Sequence, residues 1–238
     1  MRNLAIDCAG MTPSVGLFEG DICTAFEQAI PGENSLCSLS PLIQKVLDGE
    51  RKVARSAGSP PPIDLISITY GPGSFTGLRI GLATAKALAY AWGVPAVGID
   101  TLDCLANQAA ENSSANGEKC FIVPVLNAFR KQVFSAVWKL DGQLKNLIPT
   151  QVRDLDAWCN DPTQGNDEQI PIRVLGRGLQ VAKPYQSEST RFCDEELWNI
   201  DLQMLAQLGK AKFELGEVST AEQLLPNYIR ASAAEEKR

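Results

Sequence analysis

Over the first 28 residues apolar positions come in short runs separated by turn residues, and the pattern predicts three strands. They are "RNLAID" at 2–7, then "SVGLFEG" and "ICTAFEQA" on either side of Gly20-Asp21, a pair that favours a hairpin. In "PGENSLCSLSPLIQKVLDGE" the rhythm changes. Leu36, Leu39, Ile43, Val46 and Leu47 recur at helical spacing and give one apolar face. Asn34 or Ser35 can cap that helix; alternatively it begins near Ser40 with Pro41 in its first position. Residues 51–62, "RKVARSAGSPPP", read as a polar loop, "IDLISIT" as a buried strand, and "GPGSFTG" as a glycine-rich entry to a long helix. "PAVGID" is a further strand, followed by a helix over Thr101–Ala110.

The polar stretch "ENSSANGE" at 111–118 is the expected lobe boundary, dividing the chain into 1–112 and 113–238. The second part opens with the strands "CFIVPVLN", "QVFSAVWKL" and "LKNLIPTQV". A short helix at "RDLDAWCN", a strand at "IRVLG", a short helix at "RGLQVAKPY" and a long helix at "EELWNIDLQMLAQLGKAKFELG" follow. The tail "LLPNYIRASAAEEKR" begins with an ordered look and is free to return to the first lobe. Hairpins combined with crossover helices imply an α/β fold with mixed sheets flanked by helices.

Composition narrows the chemistry. No run of 18 uncharged apolar residues is present, so no membrane span is expected, and the opening segment reads as a strand rather than a signal peptide; a cytoplasmic location is the default expectation. The seven cysteines are odd in number and none lie two or four apart, which argues for buried reduced thiols over disulfides or a zinc site. The chain has no histidine. Within this chain that removes a Ser-His-Asp triad, a Cys-His pair and any histidine metal site, and no metal is expected. A net charge of −6 disfavours a broad nucleic-acid-binding face.

The glycine loop fits neither common nucleotide pattern. No lysine follows Gly71 at the P-loop position, and Thr76 stands where a dinucleotide loop needs its third glycine. Two readings remain: a tight strand-to-helix turn, or an anion or nucleotide loop formed by Asp7, Gly71, Gly73, Ser74 and Thr76. In the helix, Gly77, Gly81, Ala85, Ala89 and Gly93 recur every fourth residue. Mid-helix glycine costs roughly 1 kcal/mol against alanine, so Gly81 implies close approach of another element. That element is either the chain's own sheet or another helix, from residues 35–48 or from a second subunit.

"LAIDCAG" followed by "YGPGSFTGLRIGLATAKALAYAWGVPAVGIDTLDCLA" resembles the TsaB (YeaZ) family, and "VPVLNAFRKQVFSAVW" and "LPNYIR" carry weaker echoes of it. The resemblance implies a two-lobed actin/Hsp70/sugar-kinase-like fold. It further implies a non-catalytic subunit needed to form threonylcarbamoyladenosine in tRNA, at the adenosine after the anticodon. Such a subunit pairs with the transferase TsaD and the ATPase TsaE, meets tRNA only through the complex, and forms a homodimer when alone. The family's partner surface maps to residues 35–48 and 75–92, with Leu36, Leu39, Ile43, Gly77, Gly81 and Ala85 as the expected contacts. No cofactor of its own is implied beyond ATP or ADP at the complex interface. The chain departs from the family in having Asn34, Ser35 and Ser40-Pro41 near a customary histidine, and Asn127 in place of an acid. A stand-alone kinase or ATPase of the same fold is the competing reading, resting on Asp7 and the glycine loop.

Overall fold

The computed structural model describes residues 1–30, 35–54, 63–114, 117–165, 168–182, 190–219, 223–227 and 229, without the side chains of 35–37, 49–54 and 114. Its first sheet has the order β3-β2-β1-β4-β5, built from β1 (Arg2–Asp7), β2 (Ser14–Glu19), β3 (Ile22–Gln28), β4 (Leu65–Gly71) and β5 (Ala96–Asp100). β1, β2 and β3 are antiparallel neighbours, while β4 and β5 add in parallel on the other side of β1. Alternation then sorts the side chains. Leu4, Ile6, Val15, Leu17, Ile66 and Ile68 form a core with Leu39, Leu42, Ile43 and Val46 of α1 (Ser35–Ala54) and Leu82, Ala85 and Ala89 of α2 (Phe75–Trp92).

α1 starts at Ser35 and runs past the expected loop boundary, so Pro41 lies inside it rather than at its first position. Pro41 is exposed, which leaves its ring clear of the core. α2 ends on Gly93, at φ 68, with its amide bonded to the Ala89 carbonyl. The other face of the sheet meets α5 (Leu202–Glu214). There Asn3 Nδ2 donates to the Ala206 carbonyl at 3.0 Å and Ser67 Oγ donates to Asn3 Oδ1 at 2.9 Å. Gly209 lies directly on Ser67, whose side chain occupies the place a Cβ would take.

The second sheet, β10-β9-β6-β7-β8, repeats the first: β6 (Cys120–Phe129), β7 (Gln132–Asp141) and β8 (Gln143–Asp154) form an antiparallel meander. β9 (Ile172–Leu175) and β10 (Thr190–Phe192) add in parallel on the far side of β6. α3 (Thr101–Ser114) packs Leu102, Leu105, Ala106 and Ala109 on one face of it. α4 (Leu155–Asn160) buries Trp158 on the other, with its Nε1 donating to Ser135 Oγ at 2.9 Å. Two sheets of one topology, each flanked by helices, make the actin/Hsp70/sugar-kinase-like class.

The compact units are Met1–Thr101 with Leu202–Asn227, and a second centred on Leu102–Asp201. The division at Thr101 differs from the expected boundary after residue 112 because α3 belongs with the second sheet. The single long helix expected from Glu195 is broken. A 3-10 turn over Glu195–Trp198 ends on an extended Asn199, and α5 begins only at Leu202. Gln108 causes the break by donating to the Leu197 and Asn199 carbonyls at 3.0 and 2.8 Å while accepting from the Asp201 amide. At the β6–β7 tip Phe129, Arg130 and Lys131 all have positive φ, at 58, 51 and 59°. For non-glycine residues that conformation costs roughly 1–2 kcal/mol each.

Candidate functional site

Asp7 ends β1 and is buried. Its Oδ1 accepts from Thr69 Oγ1 at 2.7 Å and from the Ala9 amide at 2.9 Å, and the Cys8 amide donates to Thr69 Oγ1 at 3.3 Å. The carboxylate therefore shapes the turn after β1. The glycine loop, joined through a cis Gly71-Pro72 bond, is stapled to that turn: the Ser74 amide donates to the Ala9 carbonyl at 2.8 Å. A Cβ on Gly73 would lie 2.5 Å from the same oxygen. Ser74 caps α2, accepting from the Gly77 amide at 3.2 Å. Of the five expected loop residues the structure brings Asp7, Gly71, Gly73 and Ser74 together, with Thr76 exposed on the first turn of α2. The Ser74 and Gly77 amides are engaged inside the chain, so the turn reading accounts for the geometry.

The tail completes this edge. Asn227 donates its amide to the Tyr70 carbonyl at 2.9 Å and its Nδ2 to Asp100 Oδ2 at 3.3 Å, and its own carbonyl lies against Gly71. The "LPNYIR" motif is visible in the sequence, but its contact with the acid at the end of β5 is not, since no local spacing reveals it.

The small-residue stripe of α2 faces inward, where the expected contact positions Gly77, Gly81 and Ala85 are buried. A Cβ on Gly77 would collide with the Cys8 carbonyl, and one on Gly81 would lie 2.9 Å from both Cys8 Cβ and Sγ. Ala85 is fully buried in the same core, as are Leu39 and Ile43 of α1. These five positions are buried by the chain's own packing; the Leu36 side chain lies outside the described residues. Close approach was the right inference from the glycines, and the turn after β1 is what approaches. Burial here holds the Cys8 thiol neutral: its pKa is raised, first by desolvation and then by the Asp7 carboxylate.

The outward face of α2 is the one left over. Phe75, Thr76, Arg79, Ala83, Ala87, Tyr90 and Ala91 are exposed, and Tyr90 is 86% exposed. The Arg79 guanidinium stands 4.0 Å over the Phe75 ring. Residue 76 is threonine and residues 83, 87 and 91 are alanine, so Arg79 is the one long exposed side chain between Phe75 and Tyr90. Among the described residues no three side chains converge as a metal site, and no helix is long and apolar enough to cross a membrane.

Residues 38–195 match the family described as TsaD, tRNA N6-adenosine threonylcarbamoyltransferase. The tRNA threonylcarbamoyladenosine biosynthesis protein TsaB of Bacillus subtilis (strain 168) is 27% identical over 244 residues, covering 100% of this chain and 97% of the relative. The chain belongs to the TsaB (YeaZ) branch of this family. TsaB of Escherichia coli (strain K12) is 31% identical over 141 residues, covering 59% of this chain and 56% of the relative. A Pseudomonas aeruginosa structure described as similar to peptidase YEAZ superposes with a TM-score of 0.74 at 22% identity, over 96% of this chain and 99% of that one. In TsaB terms, the block from Gly71 to Gly81 builds the strand-to-helix junction from which α2's outer face is displayed.

Proposed function

We propose that this chain is the non-catalytic subunit that binds and supports a TsaD-type transferase, with a TsaE-type ATPase, in forming threonylcarbamoyladenosine in tRNA. The observation that carries the reading is the exposed face of α2, apolar apart from Thr76 and Arg79, on a chain whose full-length relative is named for that biosynthesis. The absence of histidine fits a subunit that leaves the chemistry to its partner. Ala83 and Ala87 would be the central contacts, with Phe75 and Tyr90 flanking them. The same face, turned on a second copy, would give the expected homodimer.

The test mixes the full chain with the TsaD of its own organism and follows co-elution by size exclusion. The parent is expected to form a stable complex, and Ala83→Glu with Ala87→Glu to abolish it while leaving the melting temperature nearly unchanged, because both positions are exposed. A parent that forms no complex refutes the reading; a double variant that still binds refutes the assignment of the face. Calorimetry with Mg-ATP, on the chain alone and on the complex, tests both the interfacial nucleotide and the stand-alone kinase alternative. Asp7 gives that alternative little support, since its Oδ1 is held by Thr69 and Ala9.

A further inference from the structure

The β6–β7 tip is built against its own turn chemistry. Phe129 pairs with Gln132 across a two-residue turn, Arg130-Lys131, whose members both have positive φ. Turns of that kind favour Asn-Gly, and here two long cationic side chains take the strained positions, preceded by a phenylalanine in the same conformation. The strain is held in place from below. Asn127 Oδ1 accepts from the Phe129 amide at 2.7 Å, and the Lys131 carbonyl accepts from the Leu155 amide at 2.8 Å. The result is an anchored tip with Phe129 73% exposed and Arg130 and Lys131 exposed beside it. Asp154, opposite Gln132, uses its carboxylate to cap α4 through the Asp156 and Ala157 amides.

We propose that this tip is a direct RNA contact, with Phe129 stacking on an unpaired base and Arg130 and Lys131 meeting the adjoining phosphates. The inference rests on the threonylcarbamoyladenosine reading above and deepens it by giving this subunit its own contact with the tRNA. Charge complementarity selects the occupant. On a chain of net charge −6, two cations and an exposed aromatic ring sit together on an anchored support. Aromatic stacking and phosphate pairing are the two contacts by which proteins hold single-stranded nucleic acid. A contact of this size is local, which fits a chain of net charge −6.

The test uses the full chain and a fluorescein-labelled anticodon stem-loop whose anticodon is followed by adenosine, with anisotropy read from low to moderate salt. Phe129→Ala is expected to weaken binding by at least about fivefold, the lower end of what one stacked base contributes. Arg130→Asn with Lys131→Gly supplies the residues the turn favours. It is expected to raise the melting temperature while reducing the slope of log affinity against log salt by about two, one for each lost phosphate contact. Unchanged affinity and slope in that double variant, or a melting temperature below the parent's, overturns the inference. Loss of TsaD co-elution without loss of RNA affinity would place the tip at a protein contact and overturn the RNA assignment as well. A parent chain that fails to bind TsaD at all refutes the proposed function instead, so the two failures are distinguishable.

Discussion

Cys8 sits where the first unit has least room. Gly77 and Gly81 press on its carbonyl and its side chain, and Ile68 closes the far side of Gly81. Gly81→Ala is therefore expected to cost about 1–3 kcal/mol, the usual range for overpacking, despite alanine's better helix propensity. Removing the sulfur with Cys8→Ala makes part of the room, so a double-mutant cycle read by urea denaturation should show a coupling of at least about 0.5 kcal/mol. The thiol also links stability to pH. Its folded pKa is raised, so stability is intact below the unfolded thiol's value of about 8.5. It falls as the pH climbs beyond that value, because only the unfolded chain releases the proton. Urea midpoints measured from pH 7 to 10 should decline, and Cys8→Ala should shallow the decline without removing it, since burial also raises Cys120 and Cys193.

At the scale of elements, α2 and α5 show what periodicity can and cannot carry. The strands β1 to β9 were legible because alternation and continuous apolar runs are local signals, and α2 was legible from its glycine entry, whereas the three-residue β10 carries too short a pattern and was missed. Which side of α2 faces inward was not. Leu78, Leu82 and the small stripe are buried while Ala83 and Ala87 are exposed, and glycine reports a near neighbour without naming it. The break before α5 was likewise hidden, because Gln108 lies 91 residues from Asn199. α5 itself docks through polar groups inside an apolar contact. Asn3→Ala would leave the Ala206 carbonyl without that donor and Ser67 Oγ without that acceptor, a loss expected to cost about 1–3 kcal/mol in denaturant melts. Gly209→Ala should be at least as damaging, since Ser67 occupies the space a Cβ would need.

The whole molecule is one topology used twice, and the two uses are not symmetric in sequence. The second unit is centred on one continuous stretch, Leu102–Asp201, whereas the first is Met1–Thr101 completed by Leu202–Asn227. The mixed-sheet class followed from the order of hairpins and crossovers, but the matching strand orders became visible only in three dimensions. A chain stopped after residue 201 should lose α5 and the Asn227 contacts. Limited proteolysis read by mass spectrometry is expected to cut it first within 1–101 and to spare 102–201; equal protection of both would show that α5 is dispensable.

The return of the chain to its first sheet also sets a schedule for synthesis. β1 is among the first segments to leave the ribosome, yet its underside stays uncovered until α5 emerges some two hundred residues later. At about 5–20 residues per second that is a wait of roughly 10–40 s. For that interval Phe18 and the polar pair Asn3–Ser67 face the surroundings without their helix. A translational pause anywhere within the second unit's coding stretch prolongs the first unit's vulnerability rather than its own.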